Sequence, residues 1–237
     1  MPALRAKRAW VGWSLWLRWV VANVAGFTAG GAIGGATARA LELPHVGATS
    51  ASEAALALTI AAGAALAVLG AAVGTTQWLA IRENVEHVGW WIPATTLGWT
   101  LAALVAGVLS GIMGGAVTGV GPDRGLWGYV VSAAAGILAI GLLPVACQWV
   151  VLRRRVHGAG RWVWGAGATF FLAAVAAFAV VRWAFVNLIG WLRLEDFPSA
   201  KSFVLMGVLI GLLYGAVSGA LLVRLLGHQV ERDPDEI

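Results

Sequence analysis

The chain says the same thing twice. Gln77 to Ala94 reads QWLAIRENVEHVGWWIPA, and 71 residues later Gln148 to Gly165 reads QWVVLRRRVHGAGRWVWG. At that one offset Gln77 falls on Gln148, Trp78 on Trp149, Arg82 on Arg153, Gly89 on Gly160 and Trp91 on Trp162. A further step of 71 takes the arginine to Arg224, and near the start Gly26-Phe27 matches Gly98-Trp99 at an offset of 72. Self-similarity at a fixed period is the mark of a fold built by stacking copies of one unit. The expected architecture is therefore three diverged copies of a unit of about 71 residues.

What the unit is made of follows from its lack of charge. Hydrophobic residues make up 60% of the 237 and charged residues only 11%, with a mean hydropathy of +0.83. A soluble domain carries about 25% charged residues, so this chain has no means of covering itself against water, and the bilayer must be its solvent. The expected fold class is all-α and transmembrane: six helices as three repeated hairpins in a pseudo-threefold bundle. Parallel repeats of this kind are related by an axis along the membrane normal. Mitochondrial carriers share that layout by analogy, but their Pro-x-Asp/Glu-x-x-Lys/Arg signature is absent.

In order, residues 1–17 form an N-terminal segment with Arg5, Lys7 and Arg8 ahead of Trp10, Trp13 and Trp16, expected as a short interfacial helix. Unit 1 covers 18–89, unit 2 covers 90–160, unit 3 covers 161–226, and 227–237 is an acidic tail. Ala36-Thr37-Ala38 has the form of a signal-peptide cleavage site. The span before it is long and matches the start of the third helix, so it reads as a retained first span. Ser50 and Glu53 have capping-box spacing and open the second helix. Gly121-Pro122-Asp123 reads as a turn, and Pro144 should kink the fourth helix one turn before Gln148. Residues 182–198 read as a helix end followed by an amphipathic segment.

Charge gives an orientation. The N-terminus, the second and fourth loops and the tail hold 11 Lys/Arg (Arg5, Lys7, Arg8, Arg18, Arg82, Arg153, Arg154, Arg155, Arg161, Arg224, Arg232). The other side holds five (Arg39, Arg124, Arg182, Arg193, Lys201). Basic loops stay in the cytoplasm, so both termini are expected there, in the bacterial inner membrane. The formal charge of +5 needs no nucleic acid to explain it; the expected partners are the bilayer itself, anionic headgroups on the cytoplasmic side, and other membrane subunits or further copies of the chain.

The candidate site residues are few. No Asp, Glu, Lys or His falls in the middle of a span, and no HExxH, GxSxG or P-loop pattern occurs. The sequence thus points away from an enzyme and predicts no metal or cofactor. Cys147 is the only cysteine, so no intrachain disulfide forms, and the four histidines fall in loops or the tail, where solvation accounts for them. Gln77 and Gln148 are the outstanding polar pair. They either recognise a substrate at a central axis or hydrogen-bond neighbouring helix ends. Arg82, Arg153 and Arg224 share a phase at the ends of the even-numbered helices, as a ring that anchors the chain or binds a solute. Arg182 and Asn187 either hold an anion or snorkel to the interface. Gly107, Gly111, Gly115 and Gly119 make one strip of small residues, and Gly207, Gly211, Gly215 and Gly219 another. Such strips bring helices close together, or else line a pore or accept a lipid tail or flat cofactor. Trp90, Trp91 and Trp162 read first as interface anchors.

The pattern Q-W-[LV]-x-x-R followed by G-x-W resembles that of an uncharacterised group of small bacterial polytopic membrane proteins. The third unit departs from it, with neither Gln nor Trp before Arg224, and the resemblance implies no activity. Two functions remain open: a non-catalytic accessory or scaffold subunit of a membrane complex, or a small transporter or channel for a neutral or lipid-like solute along the repeat axis.

Overall fold

In the computed structural model the described residues are 2–42, 51–85, 88–117, 122–154, 156, 158–184 and 200–230. They form six long helices: α1 Pro2–Glu42, α2 Ala51–Ile81, α3 Trp91–Val117, α4 Pro122–Leu152, α5 Gly160–Ala184 and α6 Ala200–Val230. A one-turn 3-10 helix, Val88–Trp90, leads into α3. No strand occurs among the described residues. Five helices contain a stretch long and apolar enough to cross a membrane; in α4 the apolar stretch among the described residues is shorter, Leu138–Leu152.

Each helix packs on its chain neighbours, and α6 closes the ring by packing on α1. Glycine makes the tightest of these seams possible. A Cβ at Gly30 would lie 3.0 Å from Leu69 Cα on α2, and one at Gly34 2.8 Å from the Ala65 carbonyl oxygen. Gly26 faces Val73 on α2, and 72 residues on Gly98 faces Pro144 on α4. Neither position has room for a side chain, because main chain is what lies opposite.

Two boundaries differ from the sequence reading. Residues 2–17 are not a separate helix; they are the first turns of α1, because nothing in Arg18-Trp19 breaks the helical run. Pro122 and Asp123 belong to the first turn of α4 rather than to the turn before it; proline is well placed at a helix start, where its missing N–H costs nothing. Pro144 sits inside α4, which continues to Leu152. The amphipathic segment expected near 182–198 lies, from 185 on, outside the described residues.

Between α4 and α5, Gly158 has φ 73°, a left-handed conformation that side chains resist and glycine accepts freely. It lets the chain turn back within five residues of Arg153.

Candidate functional site

The odd-numbered helices build the centre. Each carries an aromatic residue, a second residue one turn on and another aromatic a turn beyond that: Trp19-Asn23-Phe27 on α1, Trp91-Thr95-Trp99 on α3, Trp162-Ala166-Phe170 on α5. Residues four apart lie on one helix face, so three helices meeting at an axis stack three layers there.

The first layer is tryptophan. Trp19, Trp91 and Trp162 are each 0% exposed. Their ring centroids lie 6.1 Å (19 to 91), 5.8 Å (19 to 162) and 6.3 Å (91 to 162) apart, and Trp19 meets both others edge to face, at 75° and 76°. This corrects the reading of Trp91 and Trp162 as interface anchors. An indole favours the membrane surface because its N–H needs a partner, and here the partner is inside the protein. The neighbours Trp90 and Trp164 are 74% and 75% exposed.

The second layer supplies those partners. Trp91 donates to Gln77 Oε1 at 3.1 Å, Trp162 to Gln148 Oε1 at 3.3 Å and Trp19 to Ser218 Oγ at 2.9 Å. The two glutamines are joined, Gln148 Nε2 donating to Gln77 Oε1 at 2.9 Å and to Thr95 Oγ1 at 3.2 Å. Gln77 Nε2 donates to Asn23 Oδ1 at 2.8 Å, and Asn23 Nδ2 to the Trp19 carbonyl at 2.8 Å. Thr95 and Ser218 turn their hydroxyls back to carbonyls of their own helices, those of Trp91 and Tyr214. All five polar residues are buried, at 2% exposure or less. Thr28 Oγ1, outside this ring, is the one buried side-chain polar atom without a partner among the described residues. A buried amide left unbonded would cost about 1–3 kcal/mol; here six helices satisfy one another.

The third layer is aromatic again. Phe27, Trp99 and Phe170 lie 5.3 to 5.9 Å apart, and Tyr214 of α6 packs on Phe27 and Phe170. The space left between the second and third layers is about 10 Å³, at the lower limit for holding a water molecule. Beyond the third layer the axis opens. A cavity of about 340 Å³ is floored by Phe27, Trp99 and Phe170 and walled by glycines of α1 and by Leu69, Ile140 and Ile210.

The repeated arginines lie at the surface. Arg82 and Arg153 are exposed and lie over Trp78 and Trp149 four residues earlier, at 5.2 and 5.0 Å from the ring centroids. Arg224 is exposed, with Ala220 where the tryptophan would be. Gly107 meets Thr59 of α2, and Gly207, Gly211, Gly215 and Gly219 meet Phe27, Val24, Val20 and Trp19 of α1. These five are helix contacts. Gly111, Gly115 and Arg182 lie in helices at positions whose side-chain surroundings are outside the described residues; Gly119 and Asn187 lie outside them altogether.

Sequence reasoning missed Asn23, Thr95 and Ser218. Asn23 and Thr95 had a signal, a polar residue four after Trp19 and Trp91. Ser218 lies one residue before Gly219, the position that the offset of 71 selects from Gln148.

No family model, no curated protein and no solved structure matches this chain.

Proposed function

We propose that this chain is a non-conducting, non-catalytic membrane protein that serves as an accessory or scaffold subunit, built from three hairpin repeats and lying in the bacterial inner membrane with both termini cytoplasmic. The observation that carries the reading is the seal on the axis. Two aromatic layers enclose a bonded amide layer, and the cavity between that layer and the second aromatic layer is about 10 Å³. The even spacing of Trp91, Gln77 and their counterparts 71 residues on supports the repeat. The third unit is completed by Ser218 and Trp19, from the last helix and the first.

Liposomes carrying the purified protein should leak ions and small neutral solutes no faster than empty ones, and purification in mild detergent should retain other membrane chains. Flux above the empty control, lost in Trp91→Arg but kept in Trp90→Ala, would overturn the sealed-scaffold reading.

The second reading, a carrier of a neutral or lipid-like solute, is favoured by one observation: the apolar cavity beyond Phe27, open where the other end is shut. A carrier caught in one state has that shape. Against it, parting the seal means breaking the Trp91, Trp162 and Gln148 bonds to Gln77 and Gln148 together.

The orientation is tested by cysteine labelling in a Cys147→Ala background. Glu83→Cys should react with a membrane-impermeant maleimide only after the cytoplasmic face is opened, and Ala48→Cys in intact spheroplasts. The opposite result reverses the topology.

A further inference from the structure

Two grooves on the outside of the bundle correspond residue for residue. One, of about 580 Å³, runs between α3 and α4 near the arginine-bearing end; the other, about 520 Å³, runs between α1 and α2. Subtracting 72 from the α3 residues and 71 from the α4 residues turns the first lining into part of the second. Pro93 becomes Val21, Leu97 becomes Ala25, Cys147 becomes Thr76 and Val150 becomes Leu79. The floors are alike and apolar. The mouths are not.

At the mouth of the α1–α2 groove Arg18 pairs with Glu83. The same two positions in the α3–α4 groove hold Trp90 and Arg154. The acid has become a base and the base an exposed indole. Arg154 is exposed and has no ion-pair partner among the described residues. The α1–α2 mouth therefore holds Arg18 in an ion pair, with Arg82 beside it over Trp78. The α3–α4 mouth offers the Arg154 guanidinium, unpaired among the described residues, above an apolar trough.

We propose that the α3–α4 groove is a binding site for an anionic phospholipid. One acyl chain lies along Pro93, Leu97 and Val150, the phosphate meets the Arg154 guanidinium, and Trp90 sits at headgroup depth beside it. Arginine suits phosphate because its planar fork donates two parallel hydrogen bonds, and tryptophan suits the headgroup level because one edge is apolar and the other donates. A free anion would gain nothing from the trough. A zwitterionic lipid would bring its own cation to the same guanidinium.

The protein carries its own reporter, since Cys147, the only cysteine, lines the trough. Delipidated protein is mixed with equal amounts of phosphatidylglycerol and phosphatidylcholine of matched chains, and retained lipid is read by native mass spectrometry. Preferential retention of phosphatidylglycerol is expected. Arg154→Gln should lower the preference roughly fivefold, the loss of one surface cation. Arg154→Lys, which keeps the charge and loses the planar fork, should fall between Arg154→Gln and the parent. Glu83→Gln, which frees Arg18, should add a second retained anionic lipid. Phosphatidylglycerol should also slow maleimide labelling of Cys147 in the parent and not in Arg154→Gln. Equal lipid ratios for parent and Arg154→Gln overturn the proposal, as does unprotected Cys147 with lipid bound. Complete displacement of the lipid by millimolar inorganic phosphate would reduce the site to an anion patch and equally overturn it.

Discussion

Gly211→Leu should destabilise the bundle more than any comparable change on a lipid-facing position. A Cβ at residue 211 would lie 2.6 Å from Val24 Cα and 2.8 Å from both the Asn23 carbonyl oxygen and the Val24 nitrogen. Those atoms are main chain of α1, so no side-chain rotation relieves the clash, and α1 must move away from α6. Overpacking that neighbouring side chains can absorb costs about 1–3 kcal/mol. Here the displaced segment also carries Asn23, whose bond to Gln77 is part of the amide layer, so a loss of at least about 3 kcal/mol is expected. Gly227 is the control, exposed on the same helix and with nothing within 4 Å of a Cβ there. Thermal unfolding in detergent, followed by size-exclusion chromatography, should show Gly227→Leu melting with the parent and Gly211→Leu far below it. Coincident melting of the two variants would mean that α6 does not seat on α1.

The second large effect belongs to Gln77. It accepts from Trp91 and Gln148 and donates to Asn23, so Gln77→Leu removes three bonds at once and leaves an indole N–H and an amide oxygen buried without partners. Single interhelical hydrogen bonds in membrane proteins are modest, averaging about 0.6 and reaching about 1.7 kcal/mol. Three together give roughly 2–5 kcal/mol. Ser218→Ala, which removes the bond from Trp19 and the hydroxyl's own bond to the Tyr214 carbonyl, should cost less than Gln77→Leu. Because Gln77 and Gln148 bond each other, the double change Gln77→Leu/Gln148→Leu should cost less than the sum of its parts. Additive losses would show that the two glutamines act separately; a Gln77→Leu protein as stable as the parent would show that the amide layer contributes nothing.

The class of fold was legible because a chain with this little charge has one available solvent, and apolar runs of this length have one form in it. The glutamines were legible because the offset of 71 picks them out of an apolar background. Their meaning was not. Trp91 and Trp162 stand at helix starts beside exposed tryptophans, and sequence position does not distinguish an indole bonded to lipid headgroups from one bonded to a glutamine. What decides is the rotation of the helix, and that shows in the four-residue step from Trp19 to Asn23 to Phe27. Ser218 escaped for a different reason. Its Oγ reaches Trp19 from one residue before the position matched at a strict offset, so a fixed register selects Gly219 instead. The grooves were illegible until helices faced each other, since Arg154 and Glu83 acquire opposite roles only when their shared position is seen.

The contact between α6 and α1 has a consequence for how the protein is made. Trp19 and Ser218 are 199 residues apart, and at synthesis rates of about 5–20 residues per second the first helix leaves the ribosome roughly 10–40 s before its partner. Through that interval the Val20 to Phe27 face of α1 must rest on lipid or on the insertion machinery, with the Trp19 N–H unbonded. A nascent chain that stops short of Ser218 inserts its early hairpins but cannot shut the seam between first helix and last, so completeness of translation is written into the membrane as a closed or an open ring.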